Sequence, residues 1–319
     1  GHLFHQFLSP QANHRDDQYG GDRDGRTRFV LDLIAGIRAE CGAGFIIGIK
    51  LPGEDFVEGG IDLAEARSIA GIIGTQSDID YWTFAWGAHA HSLWTHLPAA
   101  EGPRAPYLGK IKQLREAAPK VVTGALGYIT DPVEAETALA NGTADIVFLG
   151  RPLIADPAWG AKAQAGLERD IRYCVSCNSC WKATVEGSNI ACDNNPALAL
   201  PDEVNWRPGK ALRRRRVVIV GAGVAGLECA WVAAARGHAV AVLGGGEEVG
   251  GKARLHAGLP GGENLSSVYD YQYLAAEREG VEFHLGQYAS AQDILAREPD
   301  IVVLATGSHM PKPAFVPQE

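Results

Sequence analysis

Apolar runs long enough to span a bilayer are missing from this sequence, and so is a signal-peptide pattern at its start. No membrane partner is therefore expected, and the expected location is cytoplasmic. Basic charge is also short. The 29 lysines and arginines stand against 38 aspartates and glutamates, and the formal net charge of −9 argues against a nucleic-acid partner. The one basic run, Arg213 to Arg216, directly precedes a predicted strand and reads as a solvated linker. Cysteine is scarce: six in 319 residues make no secreted disulfide framework. Methionine occurs once, at Met310, residue 1 is a glycine, and the last residues follow a strand and turn, so truncation at both ends is expected. What remains is an ordinary globular composition, 46% hydrophobic and 21% charged, with length for two domains.

Four of the six cysteines are concentrated in one stretch. Cys174, Cys177 and Cys180 recur every three residues, and Cys192 returns after a turn at Gly187-Ser188-Asn189. Such spacing lets four thiolates converge on one centre, which is metal geometry. Zinc usually joins two ligand pairs across a loop, whereas an iron–sulfur cluster accepts a close run plus one distant cysteine. The run fits iron–sulfur better, with zinc as the alternative. Cys41 and Cys229 lie inside apolar helical patterns and read as buried thiols.

Before the cysteines, strand and helix patterns alternate. Predicted strands at 45–50, 81–85, 121–124 and 145–150 are separated by helical spacing, for example Val30, Leu33, Ile34 and Ile37. Asp131, Pro132 and Glu134 form a helix start with a capping box, closed by Asn141-Gly142. Repeated units of this kind imply parallel strands, and four of them suggest the second half of an eight-stranded barrel. Barrel chemistry gathers at carboxyl strand ends. Lys50, Gly150 and Arg151 are placed there, Arg151 as a phosphate clamp. His89 and His91, on the loop after the second strand, are candidate proton-transfer residues.

After the cysteines, 194–215 reads as a linker. Val217 to Val220 then runs straight into Gly221-Ala222-Gly223-Val224-Ala225-Gly226 and a helix, the dinucleotide fingerprint in its strand–turn–helix context. The acidic residue expected at the end of the next strand is absent, and Gly244 stands there. Glu247 or Glu248 are the substitutes at hand. Gly250-Gly251 and Leu304-Ala305-Thr306-Gly307 offer further close backbone approaches.

Tyr19-Gly20-Gly21 with Arg26 and Phe29, Asp55 to Gly60, Thr130-Asp131-Pro132, Gly150-Arg151 and Ala155-Asp156-Pro157 resemble old yellow enzyme barrels. With the cysteines and the glycine fingerprint, the chain is similar to the multidomain NADH:flavin oxidoreductase branch that contains 2,4-dienoyl-CoA reductase and trimethylamine dehydrogenase. The resemblance implies an α/β chain: the C-terminal half of an FMN-binding (β/α)8 TIM barrel over 1–170, an iron–sulfur loop and linker over 171–212, and an incomplete Rossmann-like domain over 213–319. It implies FMN near Lys50, Gly127, Gly150 and Arg151, a 4Fe-4S cluster on Cys174, Cys177, Cys180 and Cys192, and FAD or ADP on Gly221, Gly223, Gly226, Gly250 and Gly251, with NAD(P)H as electron donor. Tyr128 departs from a frequent arginine. The family's substrate-gripping histidine pair falls just before Gly1, at least in its second member.

The implied activity is NAD(P)H-linked reduction of an enoate or dienoyl substrate. The alternatives are an amine dehydrogenase or N-demethylase that hands electrons to an external electron-transfer flavoprotein and, from another class, a non-catalytic zinc and nucleotide-binding module. A homo-oligomer is expected at full length. The chain by itself, with an unclosed barrel half, is expected to associate and to hold FMN poorly.

Overall fold

The computed structural model describes residues 2–308. It divides into two compact units, one ending at Arg151 and the other beginning at Pro152. The cysteine segment and the glycine fingerprint therefore share a unit.

The first unit is built on four parallel strands in sequential order: β1 (Gly48–Glu54), β2 (Tyr81–Trp86), β3 (Val122–Ala125) and β4 (Ile146–Val147). Alternation decides which residues meet the helices. Ile49, Leu51, Trp82, Phe84 and Trp86 are buried, with helices Leu63–Gln76 and Leu108–Arg115 packed on β1. The register aligns Lys50 with Thr83, and Thr83 with Gly124. This row belongs to the opposite face, where Val122 is 41% and Ile146 40% exposed. Glycine is required in that face, because a Cβ on Gly48 would lie 2.0 Å from the Tyr81 ring and one on Gly124 would lie 2.1 Å from the Phe148 ring.

Helix starts in this unit follow local chemistry. Asp131 accepts the Glu134 N–H at 2.9 Å while the Glu134 carboxylate reaches back to the Asp131 N–H, completing the capping box. Asp22 and Asp62 cap helices Arg23–Cys41 and Leu63–Gln76 by accepting the Gly25 and Glu65 N–H groups, without the reciprocal bond. Arg26, 9% exposed, ties these helices together through Glu65 at 2.6 Å and also donates to the Leu8 and Gly21 carbonyls. Burial pushes the Glu65 carboxyl up, but hydrogen bonds from Arg23 and Arg26 outweigh it and hold the group below its ordinary value.

Two expectations are corrected here. The first strand does not end at Lys50; it continues to Glu54, because Pro52 lies in an edge-compatible register opposite Ala85 and the pairing resumes at Glu54 and Trp86 after an irregularity. Cys41 is not buried: it closes helix Arg23–Cys41 where the chain turns into solvent, and it is exposed, while Cys229 is only half-buried.

The second unit holds β5 (Arg216–Val220), β6 (Ala239–Leu243), β7 (Glu282–His284) and β8 (Ile301–Leu304), all parallel, in the order β7-β6-β5-β8. Numbered within the unit this is 3-2-1-4, the opening of the doubly wound dinucleotide fold. Helices Val224–Ala235 and Ser266–Arg278 pack on each other. Ile219, Leu227, Ala230, Val242 and Ala276 form the fully buried centre.

Candidate functional site

In the first unit, Gly127 (φ 120°) and Tyr128 (φ 55°) take left-handed backbone immediately after β3. A Cβ on Gly127 would lie 2.5 Å from Tyr107, so only glycine makes this bend beside that ring. The Arg151 guanidinium sits 6.0 Å over the Tyr128 ring and donates to the Pro98 carbonyl at 2.9 Å. Gly127, Tyr128 and Arg151 are thus brought together, and Gly150 beside them has open space where a Cβ would stand. Lys50 is exposed on the open side of the sheet, yet burial of its surroundings pushes its ammonium below the ordinary lysine value. The Arg151 guanidinium beside the open backbone of Gly150 suits an anionic group such as the phosphate of FMN. His89 and His91 lie apart from this set in character. Both are exposed on the loop after β2, and the His89 ring faces the His96 ring at 6.1 Å.

In the second unit, Ser176 (φ 54°) and Asn178 (φ 60°) flank Cys177 in left-handed backbone, which bends the loop tightly before helix Ser179–Val185. No disulfide forms. Backbone N–H groups are turned toward the sulfurs. Ser176 donates to the Cys174 Sγ at 3.4 Å, Ser179 to Cys177, and Asn194 and Asn195 to Cys192. Burial pushes the Cys192 thiol up to about 11 against those N–H groups, and proximity to Cys174 and Cys177 adds to the rise. The Cys177 thiol is pushed up chiefly by burial, opposed by Ser179 and reinforced by Asp193. Such thiols stay protonated at neutral pH until a metal displaces their protons. Among the described residues, no group of three or more His, Cys, Asp or Glu closes to the spacing of a single ion. Thiolates around one zinc would lie about 3.8 Å apart, given bonds of about 2.3 Å in a tetrahedron. Four thiols in one segment are a donor set that a zinc ion and a four-iron cluster both accept.

The glycine fingerprint lines a cleft of about 720 Å³ at the carboxyl end of β5. The cleft lies beside β8, where the strand order reverses. Gly221 (φ 117°) passes so close to the last strand that a Cβ would lie 2.1 Å from the Ala305 carbonyl oxygen. Gly223 bridges to Gly250, whose N–H donates to the Ala222 carbonyl at 2.8 Å, and helix Gly251–Ala257 starts from that contact. Gly244 is closely packed. A Cβ there would lie 2.7 Å from Leu285 Cδ2 and 3.0 Å from Ala222 Cβ, so a side chain at this position requires the Leu285 side chain to move aside. Glu248 lines the cleft but is paired with Arg254.

Several residues around the cysteines escaped the sequence reading. Asn194 and Asn195, at the head of the expected linker, are 2% and 4% exposed. Asp193 accepts the Ser179 hydroxyl at 2.8 Å beside Cys177. The only signal in sequence was their adjacency to Cys192.

The profile of the NADH:flavin oxidoreductase / NADH oxidase family matches residues 1–170, and that of an NAD(P)-binding Rossmann-like domain matches 219–273. The chain is 36% identical over 314 residues to a probable N-methylproline demethylase of Rhizobium meliloti, covering 96% of this chain and 45% of that protein. It is 34% identical over 316 residues to an NADH oxidase of Thermoanaerobacter brockii, covering 97% and 47%. Among solved structures, a 2-naphthoyl-CoA reductase complex superposes with a TM-score of 0.89 at 30% identity, covering 98% of this chain and 47% of that one. The chain thus spans about half the length of the curated relatives it matches.

Proposed function

This chain belongs to the NADH:flavin oxidoreductase / NADH oxidase family, and from that premise we propose that the complete protein is a flavin-dependent oxidoreductase. It passes electrons between a small organic substrate at FMN and NAD(P)H, by way of a 4Fe-4S cluster and an FAD held in the glycine-lined cleft; ADP in that cleft would be a bound nucleotide that carries no electrons. The observation that carries this reading is the set of four unpaired cysteines with backbone N–H groups turned to three of their sulfurs. Hydrogen bonds to cluster sulfurs are a principal lever on cluster potential.

Bound FMN and the cluster supply the redox chemistry, FMN by two electrons and the cluster by one. The residues of this chain hold and bias them. Arg151 and the turns at Gly127 and Gly150 hold the phosphate, and Lys50 stabilises negative charge on a flavin edge. The positive end of helix Val224–Ala235 and the bare backbone of Gly221 and Gly223 receive a pyrophosphate. We read β1–β4 as half of a (β/α)8 barrel, with Val122 and Ile146 on the face that further strands cover.

The substrate class we assign is an activated alkene, an enoate or dienoyl thioester, in keeping with the reductase among the similar structures. A second reading, oxidation of a methylated amine, is favoured by the likeness to the N-methylproline demethylase. Anaerobic mixing of the complete protein separates the two. Bleaching of the flavin by NADH or NADPH supports the first, and bleaching by methylated amines alone supports the second. Iron and acid-labile sulfide lost on Cys177→Ser support the cluster, whereas stoichiometric zinc without visible absorption would sink it.

A further inference from the structure

We propose that Ser267, on a helix of the nucleotide-binding sheet, is a positioning residue that sets the geometry of the cysteine segment by joining its entry to its exit. The proposal rests on the cluster reading above. Ser267 lies 94 residues from Tyr173 in sequence, yet its hydroxyl uses its whole bonding capacity on the two ends of the segment. It accepts the Tyr173 N–H at 3.0 Å and the Asn194 side-chain amide at 3.1 Å, and it donates to the Tyr173 carbonyl at 3.3 Å. The Asn194 amide also donates directly to the Tyr173 carbonyl at 2.8 Å, closing a triangle.

The consequence lies in what those ends carry. Tyr173 immediately precedes Cys174, and Asn194 lies two residues after Cys192 and offers its own N–H to that sulfur. A displacement of Asn194 therefore changes both the distance between Cys174 and Cys192 and a hydrogen bond to sulfur. Ser267 does not act alone on its helix face. Tyr271, four residues on and so on the same side, stacks on the Arg172 guanidinium at 3.9 Å, and Arg172 donates to the Asn194 carbonyl at 2.9 Å. The stack keeps the helix against the segment when the hydroxyl is removed, which makes Ser267→Ala a local perturbation.

The test uses the full chain as parent, Ser267→Ala, and Ser267→Thr, which keeps the hydroxyl. In metal-free protein, the Tyr173 amide of Ser267→Ala is expected to exchange its hydrogen about five- to tenfold faster, the usual worth of one hydrogen bond, while amides of β5 stay unchanged. After anaerobic reconstitution, the reduced cluster of Ser267→Ala is expected to show a broadened EPR spectrum. A fivefold weaker hold on the reduced, more negative state corresponds to a midpoint potential lower by about 40 mV for a one-electron couple. Ser267→Thr is expected to restore both. Unchanged Tyr173 exchange in Ser267→Ala would overturn the assignment. So would faster exchange with an EPR spectrum and potential identical to the parent's, since the hydroxyl would then order backbone without positioning the sulfurs. A parent that takes up neither iron nor sulfide would overturn the cluster reading, and Ser267's role with it.

Discussion

Gly226→Ala sets two effects of opposite sign against each other. Gly226 lies inside helix Val224–Ala235, where alanine is favoured over glycine by about 1 kcal/mol. Its Cβ, however, would stand 1.9 Å from the Gly221 carbonyl oxygen and 3.4 Å from Ile219 Cγ2. An ordinary carbon–oxygen contact is about 3.3–3.6 Å, so the helix would have to withdraw from a backbone atom that no rotamer change can move. Overpacking of this kind costs about 1–3 kcal/mol where side chains can adjust, and here they cannot. The cost therefore lies at the upper end of that range, about 3 kcal/mol, and subtracting the propensity gain of about 1 leaves an expected net loss of about 2 kcal/mol. We also expect a weaker affinity for ADP, because the withdrawing helix opens the turn that receives the pyrophosphate. Gly36→Ala is the control: it too lies within a helix, Arg23–Cys41, but with nothing within 4 Å of its Cβ, and it should stabilise by up to about 1 kcal/mol. Urea denaturation of both variants, with the two units followed separately, and calorimetric titration with ADP provide the readout. A Gly226→Ala chain as stable as the parent and binding ADP equally well would refute the steric argument.

Asp131→Ala removes both the acceptor for the Glu134 N–H and the Arg104 ion pair at 2.8 Å, and should cost about 0.5–2 kcal/mol in the first unit; an unshifted denaturation midpoint would contradict it. In the complete protein, Arg151→Ala should weaken FMN binding by about 1.5–3 kcal/mol, the usual worth of a hydrogen bond to a charged group. Flavin retained in full after dialysis would return Arg151 to a purely structural role over Tyr128. The metal-free chain should lose stability on the alkaline side. The folded state raises the Cys192 thiol to about 11 from an ordinary 9.0 and the Tyr107 hydroxyl to about 12 from 10.0, chiefly by burial. Both groups then favour folding below their unfolded values, and that stability is lost as pH rises through the folded ones. Urea midpoints measured from pH 8 upward test this, and a curve that stays flat through pH 11 would speak against both shifts.

Features carried by neighbours in the chain were legible in the sequence. The capping box at Asp131 and Glu134 needs four consecutive residues and nothing else. The Gly221 to Gly226 turn is determined by strand, turn and helix in immediate succession, and the left-handed backbone at Gly221 is something only glycine adopts readily. The cysteine spacing fixed which residues share one segment, while the structure places Cys174 and Cys177 in the loop and Cys180 on helix Ser179–Val185. What the tertiary structure decided came from partners far along the chain. The first strand is expected to close at Lys50, and the partner strand decides that the ladder continues to Glu54. The glycine at 244 has Leu285 and Ala222 packed beside it, neighbours that lie far along the chain or across the turn and are invisible in its local sequence. Asn194 looked like linker until Tyr173 and Ser267 closed around it. Cys41 has a buried helix's pattern but an exposed place, because burial depends on what packs against a face, and a single helix does not encode its neighbour. Local backbone conformation is set within a few residues; desolvation and hydrogen bonds across 94 residues, as between Tyr173 and Ser267, exist only once the chain has folded.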